Sequence, residues 1–79
     1  MQWWYRFLRK VGSIYYYAYS CESKAYDGII SFSVDTQTAR IEKPSVIDQD
    51  SEWMLDRSLR HFYQAIEKGI TDEMHICCG

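Results

Sequence analysis

The sequence contains no apolar run that approaches the ~18 residues needed to cross a membrane as a helix. Residues 1–20 also lack the unbroken apolar stretch of a signal peptide, because Arg6, Arg9 and Lys10 interrupt it. The sequence therefore gives no indication of secretion or membrane anchoring. We predict a protein of the reducing cytoplasm that makes no membrane contact.

Cysteine is scarce, and its placement does not suit a disulfide framework. The chain has three cysteines, with Cys21 far from the adjacent Cys77 and Cys78, and an odd count without regular spacing predicts no paired scaffold. Cys77 and Cys78 could bridge each other only in a strained ring, since neighbouring Cα atoms lie about 3.8 Å apart. We expect the cysteines to act as small apolar side chains, with Cys21 packed at the end of a strand.

No catalytic, cofactor or metal motif stands out. His75, Cys77 and Cys78 are potential soft ligands, but adjacent side chains of a strand point to opposite faces, whereas a structural zinc site needs four convergent ligands. His75 and Cys77 would share a face, as a base and a thiol nucleophile must, yet nothing indicates an oxyanion hole. We predict no enzyme, no cofactor and no metal site.

Aromatic residues, in contrast, are abundant. They make up 16% of the 79 residues, and eight of the thirteen lie within residues 1–20. Large rings bury much area per residue, which helps a chain this short to form a core. We predict a single small domain over residues 1–79.

The net charge of −2 hides an asymmetry along the chain. Residues 1–24 carry four Lys/Arg and one acid, whereas residues 25–79 carry five Lys/Arg and ten acids. Such an asymmetry can indicate an electrostatic partner or self-association through opposed patches.

Four segments have the composition of strands: residues 2–9, 14–21, 29–35 and 38–43. The first two are rich in aromatic side chains, and Gly12 and Ser13 between them mark a turn. The last two alternate apolar with polar residues, which is the period of half-buried antiparallel strands. Pro44 then stops the pairing. These segments predict a four-stranded antiparallel meander.

One amphipathic helix is predicted over residues 51–68. An apolar stripe recurs at i, i+4, i+7 and i+11, formed by Leu55, Leu59, Phe62 and Ile66. N-cap oxygens are offered by Asp48, Asp50 and Ser51, and Gly69 suits the left-handed residue after the end. Capping and dipole compensation explain the acids at the helix start better than a calcium site does.

Three placements around the helix are less tightly determined. His61 lies beside the stripe and is predicted at the surface. Trp53 could fold over the 44–50 linker or remain exposed for a partner. Residues 74–78 fit a short fifth strand at the sheet edge, which we favour, or a helical turn.

The turn lengths predict a register that pairs Phe7 with Tyr16, Tyr16 with Phe32, and Phe32 with Ile41. The face towards the helix then contains Tyr5, Phe7, Ile14, Tyr16, Ala18, Ile30, Phe32, Val34 and Ile41. The other face contains Trp4, Arg6, Leu8, Tyr15, Tyr17, Tyr19, Ile29, Ser31, Ser33, Arg40 and Glu42. A three-residue first turn would exchange the faces of the first strand.

The predicted fold is α+β: the meander, with or without the fifth strand, packed on one face by the single helix. With one helix available, the second sheet face stays uncovered. Trp and Tyr beside Arg are enriched in binding hot spots, and so large a patch is uncommon on a monomer. An ordinary solvated sheet face is the plainer interpretation.

We predict a non-enzymatic protein–protein interaction module that forms a homodimer or docks another protein. Its candidate binding residues are Trp4, Arg6, Tyr15, Tyr17, Tyr19 and Ile29. The alternative is a single-stranded nucleic-acid-binding module on the same face, with rings that stack on bases and Arg6, Arg9 and Lys10 on phosphates. The acidic pI of about 5.5 counts against that alternative.

Overall fold

The computed structural model describes residues 1–69 and 71–77 and shows one five-stranded antiparallel sheet packed against one helix. The elements are β1 (Gln2–Val11), β2 (Ile14–Cys21), β3 (Gly28–Ser33), β4 (Thr38–Lys43), α1 (Glu52–Glu67) and β5 (Glu73–Cys77). The strand order is β4-β3-β2-β1-β5. The predicted α+β fold, with the meander and the fifth strand, is confirmed. Cys78, the last residue of the predicted fifth strand, lies outside the described residues.

The β1–β2 hairpin contains the feature that decides which side chains face the helix. Its turn has two residues, because Val11 pairs with Ile14, and Gly12 has a φ of 61°, a conformation that glycine adopts without steric cost. The register then shifts between Phe7 and Arg9, which leaves Leu8 as an extra residue, a β-bulge.

The bulge overturns the predicted register. Phe7 pairs with Tyr17 rather than with Tyr16, and Tyr5 pairs with Tyr19 rather than with Ala18. Because side chains alternate along a strand, a slip of one residue exchanges the two faces of β2. Tyr15, Tyr17 and Tyr19 consequently point towards α1.

The later hairpins also differ from the predicted register. Between β2 and β3 the slip is again one residue, because Phe32 pairs with Tyr15 rather than with Tyr16. On the other side of β3, Phe32 pairs with Ala39 rather than with Ile41, and Ile30 pairs with Ile41. The β3–β4 register is thus two residues away from the predicted one, which changes the neighbours but keeps Ile30, Phe32 and Ile41 on the helix side.

The core is an aromatic cluster centred on Phe62 of α1. Its ring centroid lies 5.3 Å from that of Tyr5, 5.2 Å from that of Tyr17 and 6.0 Å from that of Phe32, in edge-on or tilted arrangements. These are the geometries that ring quadrupoles favour. Sheet rings therefore converge on one helix side chain.

The helix begins and ends as predicted but is rotated about its axis. Ser51 is the N-cap and accepts a bond from the Met54 amide, and Gly69 follows the end with a φ of 118°. The buried side chains are Met54, Ser58, His61, Phe62 and Ala65. Of the predicted stripe only Phe62 is fully buried; Leu55, Leu59 and Ile66 are half-buried.

Hydrogen bonds to Ser58 account for this rotation. The Trp3 indole N–H donates to Ser58 Oγ at 2.8 Å, and the Tyr5 hydroxyl donates to the Ser58 carbonyl at 2.8 Å. These bonds draw Ser58 towards β1. Leu55 and Leu59 are left on the β4 side, where they line a shallow cleft of about 310 Å³ with Ile41.

A buried carboxylate joins the sheet, the turn before the helix and the helix itself. Asp48 is fully buried, and its Oδ2 accepts hydrogen bonds from the Tyr19 hydroxyl and the Ser58 hydroxyl, both at 2.7 Å. The Tyr19 hydroxyl in turn accepts the Ser45 amide at 3.0 Å. Asp48, predicted as a candidate N-cap, instead binds two separate elements of the core.

Gly28 makes room for this arrangement. A Cβ at residue 28 would overlap the Tyr19 ring and lie 2.8 Å from the Ser45 nitrogen, closer than packed atoms approach. The missing side chain therefore allows the 45–50 turn to lie against β2.

Within residues 1–69 and 71–77, no helix has both the length and the apolarity to cross a membrane.

We expect Asp48→Ala to destabilise the fold by about 2–4 kcal/mol, since it leaves the Tyr19 and Ser58 hydroxyls buried without their acceptor. Asp50→Ala, which removes an exposed acid two residues away, is the matched control and should change stability by less than about 0.5 kcal/mol. Urea denaturation of both variants measures the difference. Equal effects would contradict the structural role of Asp48.

Candidate interaction surface

The sheet face that points away from α1, called here the outer face, alternates with the buried residues of each strand. Since Trp3, Tyr5, Tyr17 and Ile30 are fully buried towards the helix, their neighbours along the strands point outward. Two cross-strand rows result: His75–Trp4–Ser20 and Glu73–Arg6–Ala18–Ile29. The outer face thus combines aromatic, charged and small residues.

The predicted binding residues divide between the two faces. Trp4, Arg6 and Ile29 lie on the outer face. Tyr15, Tyr17 and Tyr19 do not: Tyr17 and Tyr19 have no exposed surface, and Tyr15 packs against the core. The bulge at Leu8 is the physical reason, and the placement of these three tyrosines on the outer face is wrong.

Trp4 is held in a stack with His75 of the neighbouring strand. The ring centroids are 4.9 Å apart and the planes differ by 6°. The His75 Nε2 lies 2.9 Å from the Gln2 Oε1, which fixes the imidazole over the indole. Trp4 remains half-buried, so part of the indole faces solvent in a fixed orientation.

Arg6 lies beside Trp4 on the same strand and contacts two other segments. Its guanidinium is 5.3 Å from the centroid of the Tyr26 ring, and its Nε is 3.9 Å from a carboxylate oxygen of Glu73. Both charged side chains are mostly exposed, at 57% and 70%, so the ion pair contributes little to stability. A partner could therefore bind the Arg6 guanidinium with little loss of folding stability.

Tyr16 lies on the outer face, where the predicted register instead places its neighbours Tyr15 and Tyr17. The Arg9 guanidinium lies 4.5 Å from the centroid of the Tyr16 ring, and Tyr16 pairs with Ser31 across the strands. The outer face therefore carries two arginine–tyrosine pairs. Tyr16, Tyr26 and His75 are absent from the predicted binding residues. The available signal for the orientation of β2 was the pair Ala18 and Ser20, whose side chains are too small to fill a core.

The 22–27 loop folds over part of the outer face. The Ser20 hydroxyl donates to the Ser23 carbonyl, and Ala18 and Ser20 are buried although their side chains point away from the helix. The loop brings Tyr26 beside Arg6. Near the loop, the outer face consequently exposes Trp4, Arg6, Ile29 and the β5 side chains, and farther along the sheet it exposes Arg9, Arg40 and Glu42.

The cysteine and histidine residues within 1–69 and 71–77 do not form a reactive cluster. Burial, with Glu22 and Asp48 adding to the shift, raises the pKa of the Cys21 thiol to about 11, so the thiol stays protonated at neutral pH. Cys77 and His75 are both exposed at alternate positions of β5, on the shared face that the sequence predicts. Among the described residues, no three His, Cys, Asp or Glu side chains are close enough together to hold a metal ion.

His61 also differs from its prediction. It is buried, its ring centroid lies 4.1 Å from that of Trp3, and its Nδ1 lies 2.9 Å from the Gln64 side-chain oxygen. The rotation of α1 carries it from the predicted surface into the interface with β1. Trp53 is 60% exposed, which resolves the other open placement.

Comparison of the chain with protein-family models, with curated protein sequences and with solved structures gave no match. The assignment of the outer face therefore depends on its geometry alone.

Tyr17 and Tyr19 provide a matched test of the corrected register. The Tyr19 hydroxyl bonds Asp48 and Ser45, whereas the buried Tyr17 hydroxyl has no hydrogen-bond partner among the residues that the structure describes. Tyr19→Phe should therefore destabilise the protein by about 2–3 kcal/mol, and Tyr17→Phe should be neutral or stabilising by up to about 1 kcal/mol. Chemical denaturation measures both. Two neutral substitutions would mean that these side chains lie at the surface.

The buried tyrosines also predict a loss of stability in alkali. Burial raises the pKa of Tyr17 from 10.0 to about 12, with Tyr15 and Asp72 adding to the shift, and burial raises the pKa of Tyr5 and Tyr19 as well. Between pH 10 and about 12 the unfolded chain then binds fewer protons than the folded one, so the free energy of unfolding falls as pH rises. Denaturation across this range should show the fall, and Tyr17→Phe should make it less steep.

Proposed function

We propose that this chain is a small non-enzymatic interaction module that docks another protein, or a second copy of itself, through the outer face of its sheet. The observation that carries the proposal is the row of Trp4, stacked on His75, beside Arg6 and Ile29 on a face that α1 does not cover. Tryptophan and arginine are the residue types most enriched in binding hot spots.

The side chains of this face contact one another within the chain. The Gln2 side chain fixes His75, His75 stacks on Trp4, and Arg6 lies over Tyr26. Ordering flexible side chains costs about 0.5–1.5 kcal/mol each on association. A face whose rings are held in advance avoids most of that cost.

The charges of the outer face are mixed in sign, which favours a protein as the partner. Glu42 accepts a hydrogen bond from Ser31 at 2.7 Å and lies 3.4 Å from the Arg40 guanidinium, and Glu73 lies beside Arg6. A polyanion would need a mainly basic footprint. Carboxylates placed among the arginines instead suit polar groups of both kinds.

A single-stranded nucleic acid remains the second candidate, because Arg6 and Arg9 each lie over a tyrosine ring at the surface. The corrected register reduces its support, since three of the rings that could stack on bases face the helix. We also propose the reducing cytoplasm as the compartment, supported by the free thiols of Cys21 and Cys77.

The outer face is tested by affinity capture from the native host with Trp4→Ala and Arg6→Ala as baits. Each substitution should reduce recovery of a specific partner about tenfold or more relative to the unsubstituted chain. Arg60→Ala, which removes an arginine from the exposed side of α1, should leave recovery unchanged.

Urea denaturation of each bait separates lost binding from lost folding. Equal recovery of the same partners by all four baits would exclude the outer face as the docking surface. Fluorescence anisotropy with a labelled single-stranded nucleic acid tests the alternative function. Binding that weakens steeply with salt would favour the nucleic-acid function.

A further inference from the structure

Apart from Met1, the exposed large apolar side chains among residues 1–69 and 71–77 lie at two separate places in the fold. Leu8 and Val11, at 44% and 57% exposure, belong to the end of the β1–β2 hairpin. Val46, Ile47 and Trp53, at 65%, 46% and 60%, belong to the turn before α1 and its first turn. We call residues 8–11 the tip and residues 46–53 the pole.

The tip and the pole lie at opposite ends of the sheet. Ser13 follows the tip directly, and its carbonyl accepts a hydrogen bond from the Val34 amide. Ser45 precedes the pole directly, and its amide donates to the Tyr19 hydroxyl. Ser13 and Tyr19 are separated by almost the whole of β2, about 20 Å of extended chain, in a molecule whose longest dimension is 30 Å.

The tip projects beyond the strand that covers the rest of β1. The pairing of β5 with β1 ends at Arg6 and Glu73, with one further bond from the Phe7 amide to the Asp72 carbonyl. Residues 8–11 therefore extend past the end of β5. A second molecule can approach the tip without displacing any strand of the sheet.

The two ends carry opposite charge. At the tip, Arg9 and Lys10 lie between the two apolar residues, each within 6 Å of a tyrosine ring of β2. At the pole, Asp50 and Glu52 precede Trp53, are exposed, and form no ion pair with any described residue.

Other charges near the two ends reduce this contrast in part. At the pole, the Arg57 guanidinium lies 4.8 Å from the centroid of the Trp53 ring and offsets some of the negative charge, and Lys43 acts on the nearby Asp27 carboxyl. Asp27 accepts hydrogen bonds from Ser45 and Val46 that outweigh its burial and lower the pKa of its carboxyl, so it adds negative charge beside the pole. Asp35, in the β3–β4 turn, and Asp72 offset part of the positive charge near the tip. A contact must therefore bring Arg9 and Lys10 directly against the acids of the pole.

We propose that the chain associates head to tail, with the tip of one copy docked on the pole of the next. The apolar residues of both ends would be covered in the same contact that brings Arg9 and Lys10 to Asp50 and Glu52. Because one tip–pole contact leaves a free pole on one copy and a free tip on the other, the contact is heterologous and continues into rings or filaments, whereas an antiparallel two-fold pair would use both patches and stop at a dimer. This contact is separate from the outer face.

Sedimentation velocity over a concentration series tests the proposal. The unsubstituted chain should form dimers and larger species at about 20 mM salt and dissociate at about 500 mM salt, where the Debye length falls to a few ångströms. The tip variant Arg9→Gln/Lys10→Gln and the pole variant Trp53→Ser should each weaken association at least about tenfold. Arg40→Gln/Arg60→Gln, which removes the same charge from exposed positions of β4 and α1 outside both patches, is the control and should associate normally.

Mixing the two variants distinguishes a tip–pole contact from one in which either patch meets its own copy, and growth of the unsubstituted chain beyond dimers distinguishes head-to-tail association from a two-fold pair. The tip variant keeps an intact pole and the pole variant keeps an intact tip, so an equimolar mixture should form dimers that grow no further. A monomeric unsubstituted chain at low salt, or a mixture that stays monomeric, would overturn the proposal. So would association that Trp4→Ala abolishes and the tip variant does not affect, which would assign self-association to the outer face.

Discussion

The buried carboxylate of Asp48 fixes the relation between the helix and the sheet. Its two donors come from different elements, Tyr19 from β2 and Ser58 from α1, and the Trp3 indole extends the same chain of hydrogen bonds to β1. A buried carboxyl group is costly unless its oxygens accept hydrogen bonds, and among the described residues Oδ1 has no partner, so the helix is held where both hydroxyls reach Oδ2. The rotation of α1, the burial of His61 and the half-exposure of Leu55 and Leu59 all follow from this requirement.

Local sequence signals identified the elements but not their exact pairing. Alternation in residues 29–35 and 38–43, the turn residues Gly12 and Ser13, and the cap at Ser51 gave the four strands and the helix. The face of β2 could not be obtained in this way, because Leu8 has no sequence signature of a bulge, and one extra residue exchanges the two faces. The helix stripe failed for a different reason: apolar periodicity cannot register a polar side chain such as Ser58 that is buried through its hydrogen bonds.

The same difference between local signals and strand pairing explains why only some of the predicted binding residues lie on the outer face. Trp4, Arg6 and Ile29 were placed correctly because their strands have one clearly apolar face. In β2 aromatic residues occupy both faces, with Tyr16 outward and its neighbours Tyr15 and Tyr17 inward, so composition alone could not separate them. His75 and Tyr26 depend on how β5 and the 22–27 loop return to β1, which is tertiary information.

The position of β5 has a consequence for how the fold opens. The other strand pairs join neighbours in sequence, whereas the β1–β5 pair brings together residues such as Gln2 and His75, 73 positions apart. Closing so long a loop costs entropy that local hairpins do not pay. We expect β5 to pair with β1 last during folding and to separate from it first during local opening. The amide protons of Glu73–Cys77 should therefore exchange with solvent faster than those of β2 and β3.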